Sequence, residues 1–488
     1  MKALDKNVAS EMDKAKGLAM VLALSGAVIL LGVFFNEIPL ATVTSFLGLI
    51  GLMGAIVYFK TELLVKYMTF FYMVGITSVG IVICELIPTY LVELKTRSGF
   101  AGSAPLLFLG YWVFFAMLLL LERAMAKSGI DYPDVFPTLS ETTARVAMNI
   151  GCSLVLVLYV LMFMKVATKP AFLMGLDRFY YATEVFEGSP LNGLRAVLPT
   201  LLIIPAACLS RGSRKLGIIT LFLYLLYSVW VGEKFGSFFL VFILVLIANY
   251  HSIRIFLKKN PIKVLGVIAG CVILLVGYAV AYVTFVSDGP SNYLMQRTAQ
   301  QGQLWWKTFQ ETEGVAHPAE FSKEVDGMLN GPSSIKDNVG SDYGIYKIMY
   351  LCAPDDYIDM RLSNGSRFTD AAFPLAYYYF GVPGVVLYGA ISGFIACVIT
   401  NLLIASSANG SVLILLVICR FYNMFRTTFV QMTLSDYVDL ASVMSYVLIA
   451  LSLLLQKAVG RGPGKMAKET HVKMPNPEIK GGCLDRDE

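Results

Sequence analysis

The sequence is poor in charge and very poor in histidine. Only 15% of its 488 residues are Asp, Glu, Lys or Arg, and 57% are hydrophobic, whereas soluble domains carry roughly 25% charged residues. This shortage of charge excludes an ordinary soluble enzyme. The apolar residues gather in runs of about 20, the length of a helix that crosses a bilayer. The composition therefore predicts an integral membrane protein with many spans.

Metal-ligand and disulfide patterns are also missing. The histidines are scattered at His251, His317 and His471, and no two of the 8 cysteines form a C-x-x-C pair. Most of the cysteines lie within apolar runs, where cysteine usually acts as a small hydrophobe. No P-loop, Rossmann glycine pattern or Ser-His-Asp order is visible either. We therefore predict no metal site and no cofactor.

About twelve apolar segments have the length of a membrane span. They cover residues 17–35, 40–59, 66–88, 105–121, 146–166, 194–209, 215–232, 236–251, 264–286, 379–405, 410–425 and 438–456. Lysine and arginine concentrate in alternate short loops and in both termini, and this bias marks the cytoplasmic side. We predict an all-α polytopic membrane protein with both termini in the cytoplasm.

The longest polar segment lies between the ninth and tenth spans, on the outer side. Its mixture of glycine, proline, aspartate, tyrosine and tryptophan favours a folded cap over a flexible linker. The segment is mildly acidic, so we expect no nucleic-acid surface. The predicted organisation is helices one to nine in 1–287, a periplasmic cap loop in 288–372, helices ten to twelve in 373–457 and a flexible cytoplasmic tail in 458–488.

A set of cations breaks the inside bias and falls on or near the predicted outer face. It comprises Lys165, Lys169, Arg178, Arg195, Lys234, Arg297, Arg361, Arg367, Arg420 and Arg426. Cations near outer helix ends are costly to insert, so those that persist often have a function. Any single one is better explained by snorkelling or by a local carboxylate. The whole set, converging around one cap, favours an anion site.

Two parts of this set have local patterns of their own. Glu233 and Lys234 form the tip of a tight hairpin flanked by glycines, and Lys234 is predicted to point at a bound anion; a solvated turn is the alternative. Arg297, Gln301 and Trp305 are spaced i, i+4 and i+8, so a helix would place them on one face. Such a stripe suits a sugar-phosphate ligand. The alternative is that Trp305 anchors the cap at the membrane surface.

Two further segments join cations to aromatic residues and carboxylates, one around 177–187 and one around 361–370. We assign catalytic roles to Arg297, Lys234, Arg367 and Glu233. The predicted substrate-binding residues are Arg178, Tyr180, Tyr181, Arg195, Gln301, Trp305, Arg361, Arg420 and His317.

The whole pattern resembles the bacterial O-antigen polymerase family, the repeat-unit polymerases of capsule and lipopolysaccharide assembly. The likeness covers the number of spans, the cytoplasmic termini and the large outer loop between spans nine and ten. At residue level it rests on the glycine-flanked cation in 232–237, on 296–306 and on 365–369. The related O-antigen ligases use an outer-loop histidine, a place that His317 could fill.

The resemblance implies an enzyme of the bacterial inner membrane. It would polymerise undecaprenyl-pyrophosphate-linked repeat units into O-antigen or capsular-type polysaccharide at the periplasmic face, with a chain-length regulator and a flippase as partner proteins. The residues fit this chemistry independently, because a lipid pyrophosphate leaves with the help of positive charge, which Arg and Lys supply without metal.

The general base for the acceptor hydroxyl stays open among Glu187, Glu233, Asp337, Asp342, Asp359 and Asp370. Two other functions also stay open. A lipid-linked oligosaccharide flippase or other secondary transporter would place cations at the centres of spans. A non-catalytic envelope scaffold would leave the clusters of arginine and aromatic residues unexplained.

Overall fold

The computed structural model describes most of the chain. The described residues are 2–128, 136, 139–174, 181, 184–233, 236–260, 266, 270, 290–330, 343–363, 366–409, 411–432 and 434–458. Within them the fold is helical apart from one hairpin, in which β1 (Tyr90–Leu91) pairs antiparallel with β2 (Thr96–Arg97). Most of the predicted ninth span and most of the predicted tail lie outside the described residues.

The described helices follow one another in this order along the chain. They are α1 (Lys2–Phe34), α2 (Pro39–Phe59), α3 (Thr61–Leu86), α4 (Ala104–Ser128), α5 (Glu141–Val166), α6 (Ala171–Met174), α7 (Leu191–Leu201), α8 (Ile203–Arg211), α9 (Arg214–Trp230), α10 (Gly236–Ala248), α11 (Tyr250–Lys259), α12 (Pro290–Ala299), α13 (Gln303–Glu311), α14 (Phe321–Asn330), α15 (Gly344–Cys352), α16 (Asp355–Ser363), α17 (Ala372–Asn409), α18 (Val412–Gln431) and α19 (Leu440–Ala458). Short 3₁₀ turns cover Pro318–Glu320 and Ser435–Tyr437.

Seven of the described helices are long and apolar enough to cross a membrane, or eight if α10 and α11, bent by 78° at their junction, form one span. The predicted all-α, multi-pass class is therefore confirmed. Each predicted span other than the ninth overlaps a described helix. Some of these helices, α9 and α19 among them, are shorter or less uniformly apolar than the seven, so the number twelve stays a prediction.

The centre of the bundle is the pair α4 and α17, with α3 and α18 beside it. Gly389 and Gly393 of α17 form a G-x-x-x-G pattern that faces α4. A Cβ at Gly393 would lie 2.5 Å from the Phe114 carbonyl oxygen, so only glycine permits this approach, as in other membrane helix pairs. Phe70, Phe114 and Phe429 pack ring against ring and join α3, α4 and α18.

The described part of the predicted cap rests on the C-terminal half of α3. Gly80 of α3 and Gly302, between α12 and α13, bring two backbones into direct contact, and a Cβ at Gly80 would lie 2.6 Å from the Thr298 carbonyl oxygen. The chain turns at this contact, which ends α12 at Ala299 and starts α13 at Gln303. The prediction of one helix carrying Arg297, Gln301 and Trp305 on a single face was therefore wrong.

A buried carboxylate lies at the C-terminal end of α3, next to this contact. Glu85, at the end of α3, accepts hydrogen bonds from the backbone amides of Ser103 (2.5 Å) and Ala104 (2.9 Å), where α4 begins. These amides have no acceptor within the helix, and the positive end of the helix dipole favours an anion. The hydroxyl of Thr42 donates to the second carboxylate oxygen. Three helices are thereby joined at one carboxylate.

Candidate functional site

Some of the predicted site residues lie outside the described residues, and their roles stay predictions. They are Lys234, Arg178 and Tyr180, together with the candidate bases Asp337 and Asp342. The others fall at the ends of helices that the charge bias predicts to face outward, and they divide by what surrounds them.

Arg297 and Asp370 approach the same tyrosine. Both the guanidinium of Arg297, on α12, and the carboxyl group of Asp370, before α17, interact electrostatically with the hydroxyl of Tyr72 on α3. Arg297 is exposed, and its Nη1 donates to the Gln300 side-chain oxygen at 2.6 Å. Among the described residues no carboxylate pairs with it. A cation with a neutral partner keeps its full charge for a ligand.

Asp370 is held in a restricted backbone conformation. Its φ of 64° lies in the left-handed region, which aspartate adopts more readily than most residues but at a cost in conformational energy. The next amide, of Ala371, donates to the Val430 carbonyl at 2.8 Å and fixes the turn. Such strain is often found at functional sites.

The carboxyl group of Asp370 is in a largely apolar setting. It borders a cavity of about 10 Å³ whose lining includes Thr77, Tyr111, Trp305 and Phe373, enough for one water molecule. Burial raises the pKa of Asp370 to about 8, although a hydrogen bond with Thr77 opposes the shift. A carboxyl group with this pKa exchanges a proton near neutral pH, which suits a general base or acid.

A second group of side chains surrounds Tyr224 and Tyr227 of α9. Arg195 of α7 and Glu233 both interact electrostatically with Tyr227, and Glu233 also interacts with Tyr224. Arg426 of α18 is partly buried and interacts with Tyr224. Neither arginine forms an ion pair with a carboxylate in the described part of the chain. The structure therefore brings together Arg195 and Glu233, two of the predicted site residues.

Direct contacts connect the two groups. The rings of Tyr72 and Phe239 lie 4.3 Å apart, which joins α3 to the start of α10, just after Glu233. The hydroxyls of Thr69 and Tyr422 are 2.8 Å apart and join α3 to α18 one turn below Arg426. We call Arg195, Arg297, Arg426, Glu233 and Asp370 the outer cluster. It lies around the C-terminal halves of α3, α9 and α18, which the charge bias predicts to face outward.

Two other arginines that were predicted to bind substrate form ion pairs with carboxylates. Arg361 pairs with Glu93, which is 5% exposed and also accepts a hydrogen bond from Gln303. Arg420 donates to both carboxylate oxygens of Asp439, at 3.0 and 2.7 Å, at the start of α19. These arginines hold the cap and α19 in place. Their proposed role in substrate binding loses its basis, because their charge is already compensated.

Trp305 serves the packing of the cap. Its side chain is 1% exposed, and its indole nitrogen donates to the Ser103 carbonyl at 3.0 Å. Trp306 is also buried and donates to the Gly99 carbonyl at 2.7 Å. Both indoles tie α13 to the loop before α4, so neither the sugar-binding role nor the surface anchor predicted for Trp305 fits. Gln301 is partly exposed beside the Gly302 turn.

The remaining predicted residues lie in three different settings. Tyr181 is buried, and its hydroxyl donates to the Lys169 carbonyl at 2.6 Å. Arg367 is exposed, with its guanidinium carbon 5.2 Å from the centre of the Tyr346 ring. His317 stacks on Tyr378 at 4.6 Å near Glu320. The structure does not place these residues together with the outer cluster.

His317 belongs to a small polar group on the cap. Lys347 pairs with Glu320 at 2.8 Å, and its ammonium group holds the pKa of that carboxyl below its usual range. The hydroxyl of Tyr378 also donates to Glu320, at 3.1 Å. Glu320 is thus an ionised, compensated anion, and the group is built to hold α15 against the start of α17.

The sequence did not single out Tyr72 or Thr77 as parts of the site. Both lie in the apolar run of α3, where a tyrosine or threonine has no distinctive pattern. The sequence predicted Asp370 only as one of several candidate bases and Arg426 only as one of several outer cations. In the described residues no group of three or more His, Cys, Asp or Glu side chains converges on one point, and metal independence stays a prediction.

Comparisons with known proteins add one partial match. Residues 338–447 match the model of a family of unknown function, DUF6418. The matched segment contains Asp370 and Arg426 but neither Arg297 nor Glu233. No curated protein and no solved structure matches the chain.

Proposed function

We propose that the protein polymerises oligosaccharide repeat units carried on undecaprenyl pyrophosphate. The outer cluster is the observation that supports this proposal best. It combines arginines that lack carboxylate partners in the described residues with the carboxyl group of Asp370, whose pKa burial raises to about 8. A lipid-pyrophosphate glycosyl donor requires this pair of functions, because the leaving group gains negative charge while the acceptor hydroxyl loses a proton.

The roles divide within the cluster. Arg297, with Lys234 and Arg426, neutralises the pyrophosphate as the glycosidic oxygen departs. Arginine suits this task, since its planar guanidinium binds phosphate oxygens in pairs. Asp370, aimed by its left-handed turn, accepts the proton of the acceptor hydroxyl. Arg195 and Glu233, with the tyrosines of α9, bind sugar hydroxyls.

The proposal includes a membrane arrangement. We propose about twelve spans, with both termini in the cytoplasm of a bacterium and the cap at the periplasmic face of its inner membrane. Val315, in the cap, is 58% exposed. In a background without Cys352, a Val315→Cys variant should react with an impermeant maleimide in intact spheroplasts. Labelling only after lysis would place the outer cluster on the wrong side.

The decisive experiment is chain growth by purified protein in nanodiscs supplied with lipid-pyrophosphate repeat units. Wild type should give a ladder of products on a gel, and Arg297→Gln should give much less. Lys307→Gln is a matched control, because Lys307 is on the adjacent helix α13 and already pairs with Glu311 at 2.5 Å. A flippase would move the substrate between leaflets without lengthening it. Translocation without a ladder would overturn the polymerase assignment.

A further inference from the structure

A large cavity lies at the opposite end of the bundle from the outer cluster. It has a volume of about 520 Å³ and opens between α1, α3, α4, α11 and α17. Its lining includes Lys60, where α2 meets α3, and Arg123, near the end of α4. Both belong to the basic loops that predict the cytoplasmic side. The volume falls within the range of roughly 300–1,000 Å³ that is usual for ligand sites.

The polar part of the lining has an excess of positive charge. Lys60, Lys66, Arg123 and Arg254 face two carboxylates, those of Glu62 and Glu122. Both carboxylates are occupied, because Arg254 pairs with Glu62 at 2.8 Å and Lys66 with Glu122 at 2.6 Å. Arg123 forms no ion pair with any residue that the structure describes. The cavity therefore suits an anion.

The inner wall of the cavity is rigid. Glu122 accepts hydrogen bonds from Lys66, from the hydroxyl of Tyr67 and from the Asn401 amide at 2.9 Å. Lys66 is 6% exposed and Tyr67 is fully buried. A satisfied network of this kind holds its members in one arrangement. The wall of the cavity is thus formed before any ligand binds.

Part of the cavity lining is apolar. It includes Leu18 and Leu22 of α1 and Leu119 of α4. A small soluble anion would leave these apolar side chains exposed, whereas an anion attached to a hydrocarbon chain would bury them. The lining of the cavity therefore combines polar and apolar residues, as a lipid combines a headgroup and acyl chains.

Helix α11 indicates that this cavity lies at the membrane surface. It follows α10 after a bend of 78°, and its sequence, YHSIRIFLKK, is strongly amphipathic. Ile255 and Phe256 are 60% and 48% exposed, as expected of a helix that lies in the interface and inserts its apolar residues into the lipid. The same helix supplies Arg254 to the cavity, which places the cations at the depth of lipid headgroups.

We propose that this cavity binds an anionic phospholipid of the cytoplasmic leaflet. Arg123 and Lys60 contact its phosphate, and an acyl chain lies along Leu18, Leu22 and Leu119. The site is separate from the outer cluster and does not depend on the polymerase assignment.

The test measures lipid binding to the full chain in detergent, without any sugar substrate. Phosphatidylglycerol, phosphatidylcholine and inorganic phosphate are added in turn, and binding is read by native mass spectrometry and by the shift in melting temperature. Phosphatidylglycerol should bind about tenfold or more tightly than phosphatidylcholine, because the choline cation of the second lipid opposes the attraction between its phosphate and the cations of the cavity. Inorganic phosphate should produce little shift.

Two variants separate the two halves of the lipid. Arg123→Gln should weaken phosphatidylglycerol binding about tenfold, and adding Lys60→Gln about tenfold again. Ala19→Trp, at an exposed position of the apolar wall, should fill the cavity and weaken binding with every cation retained. The matched control is Arg214→Gln with Lys215→Gln, two exposed cations at the start of α9 that do not line the cavity. It should bind as wild type does.

Each other result overturns the proposal. Equal binding of the two phospholipids would exclude recognition of the negative charge, and a full thermal shift with inorganic phosphate would assign the site to a soluble anion. Unchanged binding by folded Arg123→Gln/Lys60→Gln and Ala19→Trp would place the lipid elsewhere. Because polymerisation is not measured, failure of the polymerase assignment would leave these results unaffected.

Discussion

The two ends of the bundle treat positive charge differently. At the end with basic loops, Lys66 and Arg254 each have a carboxylate partner within 2.8 Å, whereas Arg123 in the same cavity has none among the described residues. At the other end, Arg297 has the amide oxygen of Gln300, and Arg426 has tyrosines. A buried pair that loses one member leaves an uncompensated charge, so the first arrangement stabilises the fold. The second leaves charge available for an anion.

The same distinction applies within the outer end. Arg361 and Arg420 were predicted to bind substrate for the same reason as Arg297, yet each pairs with a carboxylate. Position near the outer face therefore does not identify a ligand-binding arginine. A ligand-binding arginine is identified by the absence of a carboxylate partner. This criterion can be tested by substituting both paired and unpaired cations.

The largest expected effect is on catalysis at Asp370. Asp370→Asn keeps the shape of the side chain and removes its ability to accept a proton, so polymerisation should fall by about 100- to 10,000-fold, the usual contribution of a general base. Chain growth by the purified variant measures this. Asp359→Asn is the matched control, because Asp359 is exposed and accepts a hydrogen bond from Tyr350 at 2.5 Å on the surface of the cap. Normal ladders from Asp370→Asn would exclude it as the base.

The next effect is on stability at the basic end. Lys66→Met leaves Glu122 with no cation in a mostly buried setting, and the free energy of unfolding should fall by about 3–5 kcal/mol. The double variant Lys66→Met/Glu122→Leu should recover most of this loss, since it removes both charges. Unfolding of the purified protein, followed by gel filtration after heating, compares the variants. A double variant no more stable than Lys66→Met would mean that the pair is not the source of the effect.

Arg297 should show the opposite behaviour. Removing a cation that binds the leaving group costs about 1.5–3 kcal/mol of transition-state stabilisation, so Arg297→Ala should slow turnover roughly 10- to 150-fold. Its melting temperature should stay close to that of wild type. Arg297→Lys should recover only part of the rate, because lysine keeps the charge and loses the planar fork.

Arg361→Ala should lower the melting temperature, because Glu93 is left buried without its cation. Arg297→Ala, in contrast, should lower the rate of turnover and leave the melting temperature unchanged. If Arg297→Ala were the less stable protein and Arg361→Ala the less active one, the distinction by partner would be wrong.

The sequence could predict most of the helices and little of the site. Apolar runs such as the one in α4 are long enough to specify a span from length alone. The break between α12 and α13 depends on contact between Gly302 and Gly80, more than 200 positions earlier in the chain, and no local pattern encodes it. The pair of Arg361 and Glu93, 268 positions apart, is equally invisible. Local spacing therefore placed Trp305 on a ligand face when tertiary packing had buried it.

Substitution of Gly302 should have a smaller effect, confined to the contact between α3 and the turn after α12. Gly302→Ala places a Cβ against the backbone of Gly80 and Ile81, and such overpacking costs about 1–3 kcal/mol. The strain should move α12 away from α3, so that activity falls while the remainder of the bundle stays folded. Cysteine crosslinking between Thr298 and Val79 measures the displacement. The matched control is Gly51→Ala, at an exposed glycine of α2 with no neighbour in contact range, and equal loss in both variants would contradict the packing argument.

The smallest expected effect is the dependence of activity on pH. Burial raises the pKa of Asp370 to about 8, so near neutral pH most molecules carry a protonated, inactive base. Only the ionised form accepts a proton, and kcat/KM should therefore rise with pH, by roughly tenfold between about pH 7 and about pH 9, and level off above that. The same shift means that ionising Asp370 costs folding free energy. The protein should lose stability as the pH rises from about 4 to about 8, because over this range the unfolded state has already released the proton that the folded state retains. The Asp370→Asn variant should lose both dependences, and an activity profile that instead falls between neutral and alkaline pH would assign Asp370 the role of a general acid.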